Sequence, residues 1–489
     1  MSKLNQFLSE LESKLKTESG KGIRIKTDQR TLQRLSHDQS YHKSREPGAV
    51  VSVATEQNVS LVMTLAHKHT VPVVPFAAGS SLEGQTLALD HGIILDFSDM
   101  DQVVAVHKDD LDCVVEPGVG WGELKEALKP TGLFFPPDPG AAACIGGMCG
   151  TNCSGTLAFR YGTMKDNVLS LRVVLADGTI VKTRNRAVKS SAGYDLTRLF
   201  IGSEGTLGLV TQATLRLRRI PTHSKVIIAQ FPTLASSASA VQALVQSGAP
   251  FLRLEIIDDV CIKAVNNEIE DPKLKFAELT TIMAECAGTS DDAVSEQIQT
   301  FKQAGGSVAT NVTLATNEKE AERLWNLRKR AFFSAPSLRH HEKNKEWSTI
   351  VTDVAVPISR LVDILVATKK LIADANLVSP IVAHAGDGNF HCLIVVDKND
   401  TAELQRAKTM RDEMARLALE MQGTCTGEHG IGIGKMHLLE EELGEGGIQV
   451  MRKVKKALDP KNILNPGKIF ILEKDGAKES LDISAKSKL

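Results

Sequence analysis

The sequence predicts an α+β chain of two main domains, the second built on a mostly antiparallel sheet. Three observations lead there: strand and helix patterns alternate from Ala49 onward, three Gly-rich loops fall in the first half, and after about Pro221 these loops give way to strands and Ala- and Leu-rich helices. At 489 residues the chain exceeds one ordinary core. The predicted divisions are residues 1–220, residues 221–430 carrying a histidine-rich hairpin, a segment 431–472 that returns to the first domain, and a polar, flexible tail 473–489.

Leu4, Phe7, Leu8, Leu11 and Leu15 recur at helical spacing and predict an amphipathic helix capping the first domain. Acidic residues among them argue against a mitochondrial transit peptide. Val50 to Val53 reads as a strand, Thr55-Glu56 opens a helix with Val59, Val62, Leu65 and Ala66 on one face, and Val71 to Val74 reads as the next strand. That strand breaks into "PFAAGSSLEG". Two further loops, "FPPDPGAAACIGGMCGTNCSG" at 135–155 and "GSEGTLG" at 202–208, are almost free of bulky side chains. Glycine is placed where backbone must take positive φ or approach something closely. Three such loops in one domain point to an extended ligand whose phosphates lie across backbone N–H groups. No G-x-G-x-x-G follows the first strand, and "GIGIGKM" lacks P-loop spacing and its hydroxyl. A nicotinamide-binding fold or an ATPase is therefore disfavoured.

In the second half, Val226 to Gln230 reads as a strand and Ala235 to Gln246 as a helix. The helical run Glu318 to Ser334 has Ala321, Leu324, Trp325 and Phe332 on its apolar face, and Arg328 falls on that face too. A charge there needs a partner, and its functional reading is a fork that grips a carboxylate. Further on, "HAGDGNFH" at 384–391 sits between the apolar runs Ser379 to Ala383 and Phe390 to Val396, which predicts a hairpin with a glycine turn. His384 and His391 then lie side by side across its mouth, a placement that suits a divalent metal. Glu428, in "GTCTGEHGIGIGK", completes a His-His-carboxylate set with open positions for substrate, acceptable to zinc, manganese or iron. His429 is left beside the metal, free to move protons. Asp387 reads as a turn residue, whereas Asn389, nearer His391, is expected to present its amide to a substrate.

The charges nearly cancel, 58 Lys plus Arg against 59 Asp plus Glu, which excludes nucleic acid as a natural partner. No apolar stretch approaches the roughly 18 residues of a membrane span, and a soluble protein is expected. The eight cysteines are scattered, which suggests no disulfide framework, and the Cys144, Cys149, Cys153 trio lacks the fourth ligand of an iron–sulfur site. The terminal Ser487-Lys488-Leu489 reads as a peroxisomal address in a eukaryote; otherwise a cytoplasmic protein is expected. The same triplet occurs at Ser2 to Leu4 and at Ser13 to Leu15.

The motifs "PFAAGSSLEG", "VEPGVGWGELKEAL", "DPGAAACIGGMCGTNCSG", "RYGTMKDNV", "AGYDLTRLFIGSEGTLG", "TDVAVPISRL", "AHAGDGNFHC", "GTCTGEHGIGIGK" and "NPGK" follow one another in this order. Together they resemble the FAD-linked D-lactate dehydrogenases, a group of the D-2-hydroxyacid dehydrogenases within the vanillyl-alcohol oxidase type of flavoproteins. The resemblance implies a two-subdomain FAD-binding domain followed by a substrate (cap) domain. It implies FAD held without a covalent bond by Ala77, Ala78, Gly79, Ser80, Ser81, Leu82 and Gly84 at the pyrophosphate. Pro137, Asp138, Gly140, Gly147, Thr151, Ser154, Gly155, Tyr161, Gly162, Asp166 and Val168 would continue the site, with Glu204, Gly205 and Val210 towards the adenine and Asn465 closing from the C-terminus. It further implies oxidation of a D-2-hydroxyacid to a 2-oxoacid, with metal on His384, His391 and Glu428, His429 as base and Arg328 on the carboxylate. D-lactate is the expected substrate. Relatives that use D-2-hydroxyglutarate have a lysine and a hydroxyl where this chain has Val351-Thr352 and Phe332, although Lys343 could reach the pocket. The alternatives are D-2-hydroxyglutarate or glycolate oxidation, or a non-redox FAD enzyme resembling alkylglycerone-phosphate synthase. An electron acceptor, whether oxygen, a quinone, a cytochrome c or an electron-transfer flavoprotein, needs no readable motif.

Overall fold

The computed structural model describes residues 2–140 and 142–472. The tail 473–489, with its expected flexibility and its Ser487-Lys488-Leu489 terminus, lies outside the described residues.

Strands Ala49–Ser52, Ile93–Asp96 and Val73–Phe76 pair in parallel in that order, and Arg24–Lys26 adds an antiparallel edge. The first two are buried along their whole length, as parallel strands covered on both faces must be. Helix Glu56–His69 connects Ala49–Ser52 to Val73–Phe76, and its cap, Thr55, accepts the N–H of Asn58 at 3.1 Å. Strand Val73–Phe76 starts later than the apolar run suggests. Thr70 takes a left-handed conformation and Val71 N–H closes the helix end on Ala66, so pairing begins beyond Pro72. Helix Lys3–Lys14 buries Phe7 and Leu11 in this core, as the leucine spacing predicts.

A second sheet of five antiparallel strands runs in the order Val103–His107, Asp112–Val115, Leu209–Arg216, Val168–Val174, Ile180–Lys182. The third sheet is the largest, with eight strands, all antiparallel. Its main path is Asn311–Leu314, His223–Phe231, Thr280–Gly288, Arg253–Ile257, Ile381–His384, Asn389–Asp397 and Trp347–Val351. Side chains alternate across it. Ile227, Ala229 and Phe231 share one core with helices Leu234–Gln246 and Leu361–Asp374, whereas Ile257, Val382, Leu393 and Val395 share another with helices Asp259–Asn267 and Glu318–Ser334. Alternation therefore sends Arg253, Glu255, His384 and His391 to this second face.

After helix Met436–Leu458, interrupted at Gly444, the chain returns to the first sheet: Val73 N–H bonds Ile463 at 2.7 Å, and Asn465 N–H bonds Val73 at 2.8 Å. All eight cysteines are free thiols.

Candidate active site

Between the loops of the first two sheets and the second face of the large sheet lies a cavity of about 1200 Å³. All three Gly-rich loops reach its wall. Ala77, Ala78, Gly79, Ser80, Ser81 and Leu82 come from the first, Asp138, Gly140, Gly147 and Thr151 from the second, and Glu204, Gly205 and Val210 from the third and the strand it leads into, with Asn465 alongside. Gly79 has φ +66°, and a Cβ on Gly140 or Gly147 would meet nothing within 4 Å, so the backbone there is bare towards the cavity. Such a surface fits an extended, phosphate-bearing cofactor.

The remaining expected cofactor residues are off the wall and have structural roles. A Cβ on Gly84 would meet Ile433 and His42, and one on Gly155 would meet Asp138. Asp166 accepts the N–H of Thr163, and a Cβ on Gly162 would collide with its carboxylate. Tyr161 packs edge-on against Phe134 under Arg218, and Val168 begins a strand. Pro137 and Ser154 flank the wall without joining it. These motif stretches run past the loop into the elements that hold it.

The hairpin brings the histidines together diagonally. His391 faces Val382 and His384 faces Asn389, so the imidazoles lie one pleat apart on one face, with ring centres 5.5 Å apart. His384 Nδ1–H donates to Glu255 at 2.8 Å, and His391 Nδ1–H donates to the Thr352 carbonyl at 2.9 Å. Each Nε2 is thereby turned inward, towards Glu428. Glu428 Oε1 stands 3.5 Å from one and 3.2 Å from the other, a set that could hold a metal ion. Burial opposes charge on His384, yet Glu255 and Glu428 outweigh it and lift the imidazole to about 10. Burial likewise opposes ionisation of Glu428, but the two imidazoles hold it well below the carboxylate range. The two carboxylates and the imidazoles between them stabilise positive charge at this point of the cavity.

His429 stacks on His391 with centres 5.0 Å apart, its Nε2 3.8 Å from Glu428 and its Nδ1 buried without a hydrogen-bond partner. Burial lowers it to about 4, so the ring is a free base. Arg328 reaches the same cavity. Its Nε donates to Glu255 at 2.8 Å, and among the described residues nothing hydrogen-bonds its terminal nitrogens. Asn389 departs from expectation, because its amide N–H groups go to Asp353 and Val354, both at 2.8 Å, and it does not line the cavity. Lys343 is exposed and also off the wall, whereas Val351 and Phe332 are on it.

Three further residues shape the site without a local sequence pattern that announces them: Glu255, Asp353 and Arg253. Asp353 accepts the backbone N–H groups of Gly427, Glu428 and His429, and Arg253 lies over Trp325 beside Asp138 and Glu285. The available signal was an acidic residue flanked by Leu254 and Ile256 in a strand buried on both faces.

Residues 47–184 match the FAD binding domain family and residues 220–469 the C-terminal domain of FAD linked oxidases. A mitochondrial D-lactate dehydrogenase (cytochrome) of Arabidopsis thaliana is 44% identical over 468 residues, 95% of this chain and 81% of its own. A Danio rerio protein named "Probable D-lactate dehydrogenase, mitochondrial" is 45% identical over 441 residues, 89% and 86% of the two chains. The 4-ethylphenol oxidase of Gulosibacter chungangensis shares the fold at a TM-score of 0.75, with 18% identity, over 96% of this chain and 98% of its own. The mitochondrial naming of these eukaryotic relatives overturns the peroxisomal expectation; a three-residue address that recurs twice elsewhere in the chain carries little information. With both domain families matched in order and relatives this similar over nearly its full length, the chain belongs to the D-lactate dehydrogenase branch of the FAD-linked oxidases.

Proposed function

We propose that the chain oxidises D-lactate to pyruvate with FAD, assisted by one divalent cation, zinc, manganese or iron, on His384, His391 and Glu428. The observation that carries this reading is the convergence on one cavity wall of bare glycine backbone, two imidazoles whose Nε2 atoms face one shared carboxylate, and a buried free-base histidine. FAD held along the three Gly-rich loops would supply the hydride acceptor for C2, and a cation on His384, His391 and Glu428 would supply the Lewis acidity that makes the hydroxyl easier to deprotonate. Arg328 pairs with the substrate carboxylate through its terminal nitrogens and so fixes which face of C2 is presented. His429 takes the hydroxyl proton, a role for which a buried neutral imidazole is ready. Val351 and Phe332 make the wall apolar where a second carboxylate would lie, which favours D-lactate over D-2-hydroxyglutarate.

The test is anaerobic bleaching of the flavin by D-lactate, L-lactate, D-2-hydroxyglutarate and glycolate, before and after chelation. Fast bleaching by D-lactate, lost on chelation and restored by a divalent cation, is expected. In the His429→Ala protein it should slow by about 10²- to 10⁴-fold with FAD retained. Bleaching indifferent to chelation would remove the cation from the reading, and a yellow protein that none of the four reduces would overturn the activity.

A further inference from the structure

The carboxylate fork and the histidine pair come from different elements: Arg328 from helix Glu318–Ser334 and the histidines from the hairpin. Their relative position decides whether a hydroxyacid can touch both. Strand Arg253–Ile257 lies next to the hairpin in the sheet, and Glu255 is the direct neighbour of His384 across the ladder. Its carboxylate is 1% exposed and divided between the two halves of the site. Oε1 accepts from His384 Nδ1 at 2.8 Å, and Oε2 accepts from Arg328 Nε at 2.8 Å. One pleat earlier, Arg253 holds its guanidinium 4.7 Å from the centre of the Trp325 ring. Two residues on the strand thus hold two residues one turn apart on the helix.

We propose that Glu255 is a positioning residue that couples the substrate-carboxylate anchor to the metal seat. By accepting from Nδ1 it fixes the His384 tautomer that turns Nε2 to the cation, and by accepting from Nε it aims the terminal nitrogens of Arg328 into the cavity. Only a full-length carboxylate does both. A glutamine would set an N–H₂ group against either the imidazole N–H or the guanidinium N–H, and an aspartate is one methylene too short to span both partners. The inference rests on the metal-assisted reading above.

The test compares Glu255→Gln, Arg328→Met and the double variant, each isolated with FAD. Zn²⁺ affinity of the chelator-stripped protein is measured by competition with a chromophoric chelator, and KM and kcat for D-lactate by flavin reduction at saturating Zn²⁺. Glu255→Gln should bind Zn²⁺ about 10- to 100-fold more weakly and also raise KM at least about tenfold. Arg328→Met should raise KM while leaving Zn²⁺ affinity at the wild-type value. Because Glu255 acts on substrate through Arg328, the two KM effects should be strongly non-additive in the double variant. Wild-type Zn²⁺ affinity and KM in Glu255→Gln, or additive KM effects, would overturn the coupling. If Glu255→Gln fails to retain FAD, Glu255→Asp is read by the same criteria, with loss of at least one of the two affinities expected and wild-type values for both overturning the coupling. Wild-type protein that binds no divalent metal at all would instead sink the metal-assisted reading, and the coupling with it.

Discussion

Both oxygens of Asp353 are engaged: Oδ2 takes the N–H groups of Gly427, Glu428 and His429 at 2.8, 2.9 and 3.0 Å and the Thr426 hydroxyl at 2.8 Å, while Oδ1 takes the amide of Asn389. Glu204 does the same further along, accepting from Ile431 and Gly432. Two buried carboxylates thus fix the loop that presents Glu428 and His429. Burial opposes the charge on Asp353, but His429, Lys435 and His391 hold its carboxyl well below the usual range. Replacing Asp353 with Asn keeps the shape and puts an N–H₂ group where three N–H donors converge. The expected cost is about 3–5 kcal/mol for breaking a buried charged network, together with, on the metal-assisted reading, loss of bound metal although no proposed ligand is removed. Denaturant midpoint and metal content per protein check this; unchanged values would show that the loop holds itself. At this scale His384, His391, Glu428 and His429 were legible because glycines bracket them. Glu255 and Asp353 were not. Their roles depend on strand register and on contacts spanning 129 residues in one case and 76 in the other.

The hairpin is the element on which the geometry of the proposed metal site depends, and its turn has little freedom. Residues Ala385–Asp387 form a single 3-10 turn, and Gly388 follows at φ +74° close against the backbone of Val356; an added Cβ would lie 2.1 Å from the Val356 carbonyl. That neighbour is backbone and cannot swing aside. Gly388→Ala therefore incurs about 1–2 kcal/mol of left-handed strain as well as a clash that displaces either the turn or strand Val354–Ala355. The expected result is a lowered thermal midpoint and weakened metal retention, with the FAD loops untouched, so that FAD content remains near wild type. Full metal affinity in this variant would show that the turn can relax without moving the histidines. The hairpin is legible in the sequence, but its first arm starts at Ile381 and not at Ser379, because Pro380 has no N–H for the ladder. Helix Glu318–Ser334 was legible to its ends, since Asn317 caps it and the apolar period persists throughout.

Across the whole molecule, early and late parts of the sequence close on the same loop. Arg411 donates to the Tyr41 hydroxyl and to the Gly434 carbonyl, Lys408 lies over the Tyr41 ring, and the His42 ring packs tilted against Tyr41, centres 4.3 Å apart, with its Nε2 buried and unpaired. No local pattern announces this strap, because its residues acquire partners only when the chain folds back across some 370 positions. Burial, reinforced by the positive charges of Arg411 and Lys408, lowers His42 to about 4, whereas an unfolded histidine titrates near 6.5. Between those values the unfolded chain holds the extra proton, so the contribution of His42 to stability is complete above about pH 6.5 and is lost as pH falls towards 4. The slope is up to about 1.4 kcal/mol per pH unit. Glu204 acts in the opposite sense: burial raises it to about 7, so the folded form holds its proton longer and the associated stability is lost as pH rises from about 4.5 towards 7. The raw pH profile mixes the two, and a non-titrating variant separates them. His42→Asn should show a smaller loss of unfolding free energy between pH 7 and pH 5 than the wild type, with the two profiles running parallel above pH 7. Equal acid sensitivity in both proteins would mean that the strap opens before His42 is called on to stay neutral, and that the two ends of the chain are not locked together at the site.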